Sequence, residues 1–294
     1  MATLRDIKRR IRSVKNTQQI TRAMKMIAAS KLRRTQDRLF ALRPYADSLG
    51  RTLRWFLEEA TSDEHPLLEE RDTKSVGAVL FTADRGLCGG YNGNLVREGM
   101  AFLREKQPQS PKLICIGKKG VDIFRRRNIE LLGEHPHIAE GVTLRGADEI
   151  GQRAVDLYLS GEVDEVHLIY ASFVSTLKHP VVRQRLLPLD PEAMPEPEDE
   201  EEEEEEGVSR VVLHEPSHEG VCPQLFKSYL ASRVYRAFLE SLSSEFASRM
   251  TAMDAATQNA DDMIGRLTMD YNRARQQAIT REILDIVGGA EALK

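Results

Sequence analysis

Residues 4–60, LRDIKRRIRSVKNTQQITRAMKMIAASKLRRTQDRLFALRPYADSLGRTLRWFLEEA, decide the fold. Apolar or small residues recur there at Leu4, Ile7, Ile11 and Val14, then at Ala28, Leu32, Leu39, Leu42, Ala46, Leu49, Leu53, Phe56 and Ala60. The steps alternate between three and four, which keeps one narrow seam on the same side of an α-helix. That is the spacing of a paired coil, not the broad stripe of a globular helix. It predicts one helix over residues 1–60, kinked or loosened at Pro44, which has no N–H for the preceding turn. At ~1.5 Å per residue this helix reaches ~85 Å, too long to be buried inside a compact domain.

The other end of the chain mirrors it. From Leu225 to Leu293 there is no proline, and a second seam runs through Phe246, Met250, Met253, Ala260, Ile264, Leu267, Tyr271, Ala274 and Ala278. A C-terminal helix over residues 221–294 follows, up to ~100 Å long. Two seams at opposite ends of one chain pair most simply as an antiparallel coiled coil with the middle inserted at one end. The middle changes period: strands at Val76–Thr82, Lys112–Ile116 and Val166–Ala171 alternate with helices at Asn94–Lys106, Gly120–Arg127 and Ala147–Leu159. This predicts a Rossmann-like α/β domain over residues 75–190 with a mostly parallel sheet. Pro188–Glu206 is proline-punctuated and ends in seven consecutive glutamates, Glu200–Glu206; it self-repels, and residues 191–220 are expected to form a disordered acidic loop and connector, with no apolar anchor in Glu198–Glu206.

The whole chain has 294 residues, long enough for one large or two smaller domains. Cys88, Cys115 and Cys222 are scattered with no CxxC pair, which argues against a disulfide framework or structural zinc and fits a reducing compartment. No apolar run approaches the roughly 20 residues of a spanning helix, and the polar opening lacks a secretory signal, so a soluble intracellular chain is expected. The net charge of −4 hides a segregation: eleven acids and no base lie between Glu192 and Glu206, while residues 1–54 carry a net +12. A basic arm could serve nucleic acid, but without interleaved aromatics for base stacking it reads better as a solvated face or a surface matched to acidic proteins.

Candidate chemistry is sparse. Asp84–Asn94, DRGLCGGYNGN, follows a strand and precedes a helix, where phosphate loops sit in α/β domains. It contains neither GxxxxGK[ST] nor GxGxxG, and reads as a turn with several left-handed positions. Gly117-Lys-Lys-Gly120 reads likewise as a turn with exposed lysines. Cys88 has no histidine near it in sequence, and His135 and His137 lack a nameable third ligand. No catalytic residue, metal ligand or cofactor-binding residue is predicted. One anomaly stands in the N-terminal seam, where Asn16-Thr-Gln-Gln-Ile-Thr21 puts Thr17 or Gln18, and Thr21, on the apolar line, opposite a partner seam thinned to Ala256, Ala260, Ala274 and Ala278. Polar seam positions can set register at a cost in stability. Alternatively, the coil is surrounded by other proteins and its surface is under functional demand.

Ile7–Leu32, IKRRIRSVKNTQQITRAMKMIAASKL, closely resembles the opening of the gamma subunit of F-type ATP synthases. So do Asp84–Asn92, Ala247–Met253 (with Arg249) and Ile279–Ala290, the last matching the family's C-terminal signature at Thr280, Glu282, Asp285, Gly289 and Ala290. The resemblance covers nearly the whole chain in the right order. It implies a non-catalytic central rotor shaft without cofactor. The coil would stand inside a hexamer of alpha and beta subunits, and the α/β domain on the c-ring beside the epsilon subunit. Proton flow would turn ring and shaft together and drive the catalytic beta sites through their conformations. It further implies that Met24 faces the lever-like lower part of beta, that Arg275 and Gln276 bond a beta-subunit loop, and that Ile286 and Val287, with Ile279, Ile283 and Leu293, enter an apolar collar. Membrane contact would run only through the c-ring, on the cytoplasmic face of a bacterial inner membrane, with no nucleic-acid partner. Two features depart from the family: the acidic run, and the absence of the plastid form's regulatory cysteine pair. The competing readings are a nucleotide-dependent α/β enzyme and a basic coiled-coil scaffold for nucleic acid.

Overall fold

The computed structural model describes residues 3–59, 66–136, 143–195 and 218–291. The chain divides into two units, one of residues 31–248 and one of residues 1–30 with 249–294. Two long helices, α1 (Leu4–Glu59) and α5 (His218–Glu291), contribute to both. The divisions fall inside the two helices: Leu32, Leu39, Leu53 and Phe56 of α1 and Phe226, Val234, Leu239 and Ala247 of α5 are buried within the unit that holds the sheet.

That sheet unit follows the alternation expected from its apolar runs. β1 (Val76–Phe81), β2 (Lys112–Ile116), β3 (Gly133–His135) and β4 (Glu165–Ala171) are parallel, and β5 (Val181–Leu187) pairs antiparallel with β4. The order is β3-β2-β1-β4-β5. Every residue of the central β1 is buried, as a parallel strand covered on both faces must be. The helices are α2 (Tyr91–Glu105), α3 (Lys118–Arg126) and α4 (Leu144–Leu159), each starting two or three residues before its expected boundary. α4 starts early because the Thr143 hydroxyl accepts a hydrogen bond from the Gly146 amide at 3.2 Å, capping the first turn.

Three expectations are corrected. The pair Lys118-Lys119, expected in a turn, forms the start of α3, with Gly117 as its cap at φ +90. β3 and β5 were not anticipated: β3 has only three residues, and β5 is interrupted by Arg183 and Arg185. Those charges are satisfied from outside the strand, Arg183 by Glu98 and Glu105, Arg185 by Glu70 and Asp190. α1 stays helical through Pro44, as one helix over this segment requires; both Pro44 and Phe40, whose carbonyl loses its donor, are exposed, and water can satisfy that carbonyl. Residues 191–195, expected in the disordered connector, are ordered: Pro191–Ala193 form a 3-10 turn and Met194 is buried. The acidic residues Glu198–Glu206 lie outside the described residues.

The packing predicts a pH response. His167 on β4 lies with its Nε2 3.0 Å from Glu165 Oε2 and its ring edge-on to Phe102. Burial holds its pKa below the ordinary 6.5 despite Glu165, and burial lowers His135 and His179 as well. The folded chain therefore favours the neutral rings. Their contribution to stability is complete above the unfolded value and is lost as pH falls through the lowered folded values. Melting temperature should fall as pH drops below about 6.5, the ordinary histidine value, and His167→Gln should flatten that slope. An unchanged slope in the variant would remove His167 as a contributor.

Candidate interaction surface

In open α/β sheets, ligands enter the crevice at the carboxyl ends of the strands, where the strand order reverses, here between β1 and β4. α5 fills that crevice. Ser244 Oγ donates to the Ala171 carbonyl at 3.0 Å, Ser248 Oγ donates to the Cys88 carbonyl at 2.7 Å, and Ser241 Oγ meets the Tyr91 hydroxyl at 2.6 Å. Phe238 packs edge-on to Phe81 at 5.4 Å between centroids. The cavity left among Phe81, Thr82, Tyr91, Ile116, Phe238 and Ser241 measures ≈ 10 Å³, room for a water and not for a nucleotide. Short serine side chains let the helix come this close while adding donors to the carbonyls of Ala171, at the end of β4, and Cys88, in the loop before α2.

The glycine-rich loop is tied down in the same way. Asp84 Oδ1 accepts from the Lys118 amide at 2.9 Å, so the N-terminus of α3 is already met by a carboxylate of the chain itself. Asn92 Oδ1 accepts from the Ala83 amide at 2.9 Å, and its Nδ2 donates to the Cys88 sulfur at 3.1 Å. Of the loop's four glycines only Gly89 has a positive φ; the other left-handed residue is Leu87, at φ 61, which no glycine rule anticipates. Cys88 and Cys115 are buried, and burial pushes the Cys115 thiol up to about 12. His137 lies outside the described residues, and among those described no histidine, cysteine or acid cluster could hold a metal.

The second unit is an antiparallel helix pair. Ile7, Thr21 and Ala28 of α1 and Met253 and Ala260 of α5 are buried. Ile264, Leu267, Tyr271, Ala274 and Ala278 are half-buried at the expected steps. The anomalous polar stretch resolves into matched pairs. Gln18 Nε2 donates to Asp261 Oδ1 at 2.8 Å, the Thr21 and Thr257 hydroxyls lie 2.8 Å apart, and Lys25 Nζ contacts Asp254 Oδ1 at 2.6 Å. Gln18, not Thr17, therefore occupies the seam. Three consecutive polar layers satisfy one another only in this alignment, and so specify register.

The same alignment sets where the seam ends. Pairing 18 with 261, 21 with 257 and 25 with 254 puts Thr3 opposite residues 275–276. Beyond Ala278, α5 has no partner from α1, and Ile279, Ile283, Leu284, Ile286 and Val287 are exposed, Ile286 at 71%. A run of apolar side chains left in water on one helix end marks a surface that another molecule covers.

Comparison with known proteins agrees with this architecture. The family described as ATP synthase matches residues 3–293. The chain belongs to the ATP synthase gamma-chain family. The ATP synthase gamma chain of Moorella thermoacetica is 46% identical over 294 residues, covering 100% of both chains, and that of Desulforamulus reducens 43% identical over the same span, again covering 100% of both. Among solved structures, the central stalk and c-ring of the Tetrahymena thermophila mitochondrial ATP synthase contains a chain 28% identical, with TM-score 0.61, covering 81% of this chain and 99% of that one. The Euglena gracilis mitochondrial rotor shares the fold at TM-score 0.65 and 18% identity, covering 94% and 98%.

The residues singled out from sequence fall in two groups. Met24 is half-buried on α1, and Arg249 is half-buried where α5 enters the helix pair. Arg275, Gln276, Thr280, Glu282, Ile286 and Val287 are all exposed on the last turns of α5. Arg275, Gln276, Thr280 and Glu282 make no side-chain hydrogen bond within the described chain. The acceptors Asp254, Thr257 and Asp261 were missed from sequence, although each lies at or beside a seam step. So were the serines that close the crevice, for which a run of small residues within a long helix was the available signal.

Proposed function

We propose that this chain is the central rotor shaft of a proton-driven ATP synthase, a subunit that carries no catalytic site and works by contact. The uncovered apolar end of α5 supports this reading: the chain belongs to the gamma-chain family, and an Ile286 that is 71% exposed suits a helix end surrounded by other protein. The surrounding protein is the hexamer of alpha and beta subunits, into whose apolar collar Ile286 and Val287 enter. Hydrophobic burial has no preferred angle, so such a bearing can hold the helix without creating deep rotational wells. Lower down, Met24 faces the lever of beta, and Arg275 and Gln276 hydrogen-bond a beta loop. Arg249, Thr280 and Glu282 are further contact residues on α5.

An asymmetric pair of helices makes different contacts with each beta subunit, and only differential contacts can bias an open–closed equilibrium. The α/β unit seats on the c-ring beside the epsilon subunit. Its association with the membrane runs through the c-ring, on the cytoplasmic face; among the described residues no helix is long and apolar enough to cross a membrane. The closed crevice disfavours the alternative of a nucleotide-dependent enzyme. The direct test is copurification: the tagged chain should bring alpha, beta, epsilon and c subunits with it, and nucleotide titration of the isolated chain should be silent. Recovery of none of these subunits would overturn the assignment.

Arg275 and Gln276 supply a prediction within this reading. Arginine offers a rigid five-donor fork and glutamine both a donor and an acceptor. Replacing both with alanine should lower multi-site ATP turnover by ~10-fold while the complex still assembles, the loss expected for one or two charge-assisted hydrogen bonds. Full turnover in the double variant would remove them from the contact set.

A further inference from the structure

A cavity of ≈ 170 Å³ opens within the sheet unit, walled by Asp47 of α1, Tyr170 of β4, Gln184 of β5, Pro195, and Tyr229, Ser232, Arg233 and Arg236 of α5. Its charges are oddly matched. Arg236 is paired: its Nε donates to Glu240 at 3.1 Å, and Glu240 also accepts from Ser172 at 2.8 Å, while the two terminal nitrogens of Arg236 stay available as donors. Arg233 is not. It donates to the Tyr229 hydroxyl at 3.0 Å and to the Arg185 carbonyl at 3.2 Å, both neutral acceptors, and it forms no ion pair with any described carboxylate. Asp47 lines the same cavity and forms no ion pair with any described residue. A half-buried guanidinium and a carboxylate thus share one space without meeting.

The uncommitted hydrogen-bonding groups point one way. Arg233 keeps its Nε–H, because only its two terminal nitrogens are engaged. Tyr229 accepts from Arg233 and keeps its own hydroxyl hydrogen to donate. The Tyr170 hydroxyl donates to Gln184 Oε1 at 3.1 Å, which leaves the Gln184 amide nitrogen as a donor. Four donor groups, the Arg233 and Arg236 guanidinium groups, the Tyr229 hydroxyl and the Gln184 amide, therefore share the cavity with one carboxylate, Asp47. We propose that this cavity binds a small oxyanion that carries a proton, with inorganic phosphate as its ligand. The anionic oxygens accept from Arg233, Tyr229 and Gln184, and the remaining P–OH donates to Asp47.

This arrangement has a selectivity built in. Sulfate has the same size and shape but no proton at neutral pH, so it would set a lone pair against the Asp47 carboxylate. The volume is below the ≈ 300 Å³ of ordinary small-molecule pockets, which admits the ion and excludes a nucleoside attached to it. Because its walls come from α1, the sheet and α5, a bound ion ties these elements together and stabilises the folded unit through linkage. The site stands apart from the rotor reading, and either can fail without the other.

The test uses the full-length chain, melted during titration with phosphate, sulfate or ADP at constant ionic strength, with phosphate binding followed directly by phosphorus NMR. Phosphate should raise the melting temperature saturably, and sulfate and ADP should not. Arg233→Lys, which keeps the charge but loses the fork, should weaken phosphate binding about tenfold. Asp47→Asn, whose amide can donate, should admit sulfate. Equal responses to phosphate and sulfate in the parent, a response to ADP matching that to phosphate, or unchanged binding in Arg233→Lys would each overturn the proposal. Should Arg233→Lys prove unstable, the sulfate response of Asp47→Asn decides by itself.

Discussion

Replacing Gly117 with alanine should unfold the sheet unit at temperatures where the parent is stable. Gly117 caps α3 at φ +90, and a Cβ there would lie 2.1 Å from the Thr82 carbonyl oxygen and 2.8 Å from its hydroxyl. Neither neighbour can retreat cheaply. The Thr82 amide donates to Ile116 at 2.8 Å, and its hydroxyl donates to the same carbonyl at 2.7 Å while accepting from the Gly120 amide at 3.0 Å. The substitution combines a left-handed backbone with a backbone clash at the carboxyl ends of β1 and β2, and should cost roughly 3 kcal/mol or more. Gly161 supplies the comparison: it also has a positive φ, +71, but a Cβ there meets nothing within 4 Å. Gly161→Ala should cost only the conformational strain, about 1–2 kcal/mol. Chemical denaturation of both variants checks the ranking, and equal losses would show that the clash at Gly117 is relieved.

Ile286→Asp should show the opposite pattern, harmless in the isolated chain and severe in the complex. Ile286 is 71% exposed, so the free chain should keep its stability within about 0.5 kcal/mol. In the assembly proposed above the side chain is buried, and the exchange both removes its apolar transfer energy and places a carboxylate in an apolar collar. Together these amount to several kcal/mol, on the order of a 10²–10³-fold loss of affinity. Subunit copurification and ATP-driven rotation are the measurements. If the variant assembles and rotates like the parent, Ile286 does not sit in a collar.

These two residues mark what each level of description reveals. The three–four spacing from Leu4 to Phe56 and from Phe246 to Ala278 was legible because helical periodicity is local, and the described seam residues stand buried or half-buried at those steps. The apolar excess after Ala278 was legible for the same reason. β1, β2 and β4 announced themselves as short apolar runs. β5 did not, because Arg183 and Arg185 break its pattern and their partners, Glu98, Glu105, Glu70 and Asp190, come from other parts of the chain.

The sequence by itself determined two long seamed helices around an α/β middle, the absence of a phosphate-loop motif, and an apolar end on the second helix. Only the tertiary structure decided the alignment of the helices, since Gln18 finds Asp261 across 243 residues and no local rule ranks that acceptor above its neighbours. It likewise decided that Ser241, Ser244 and Ser248 close the sheet's crevice, and that Arg233 and Asp47 face one cavity. Periodicity is a property of neighbours along the chain. Which buried polar group satisfies which, and which is left over, depends on groups brought together only by folding.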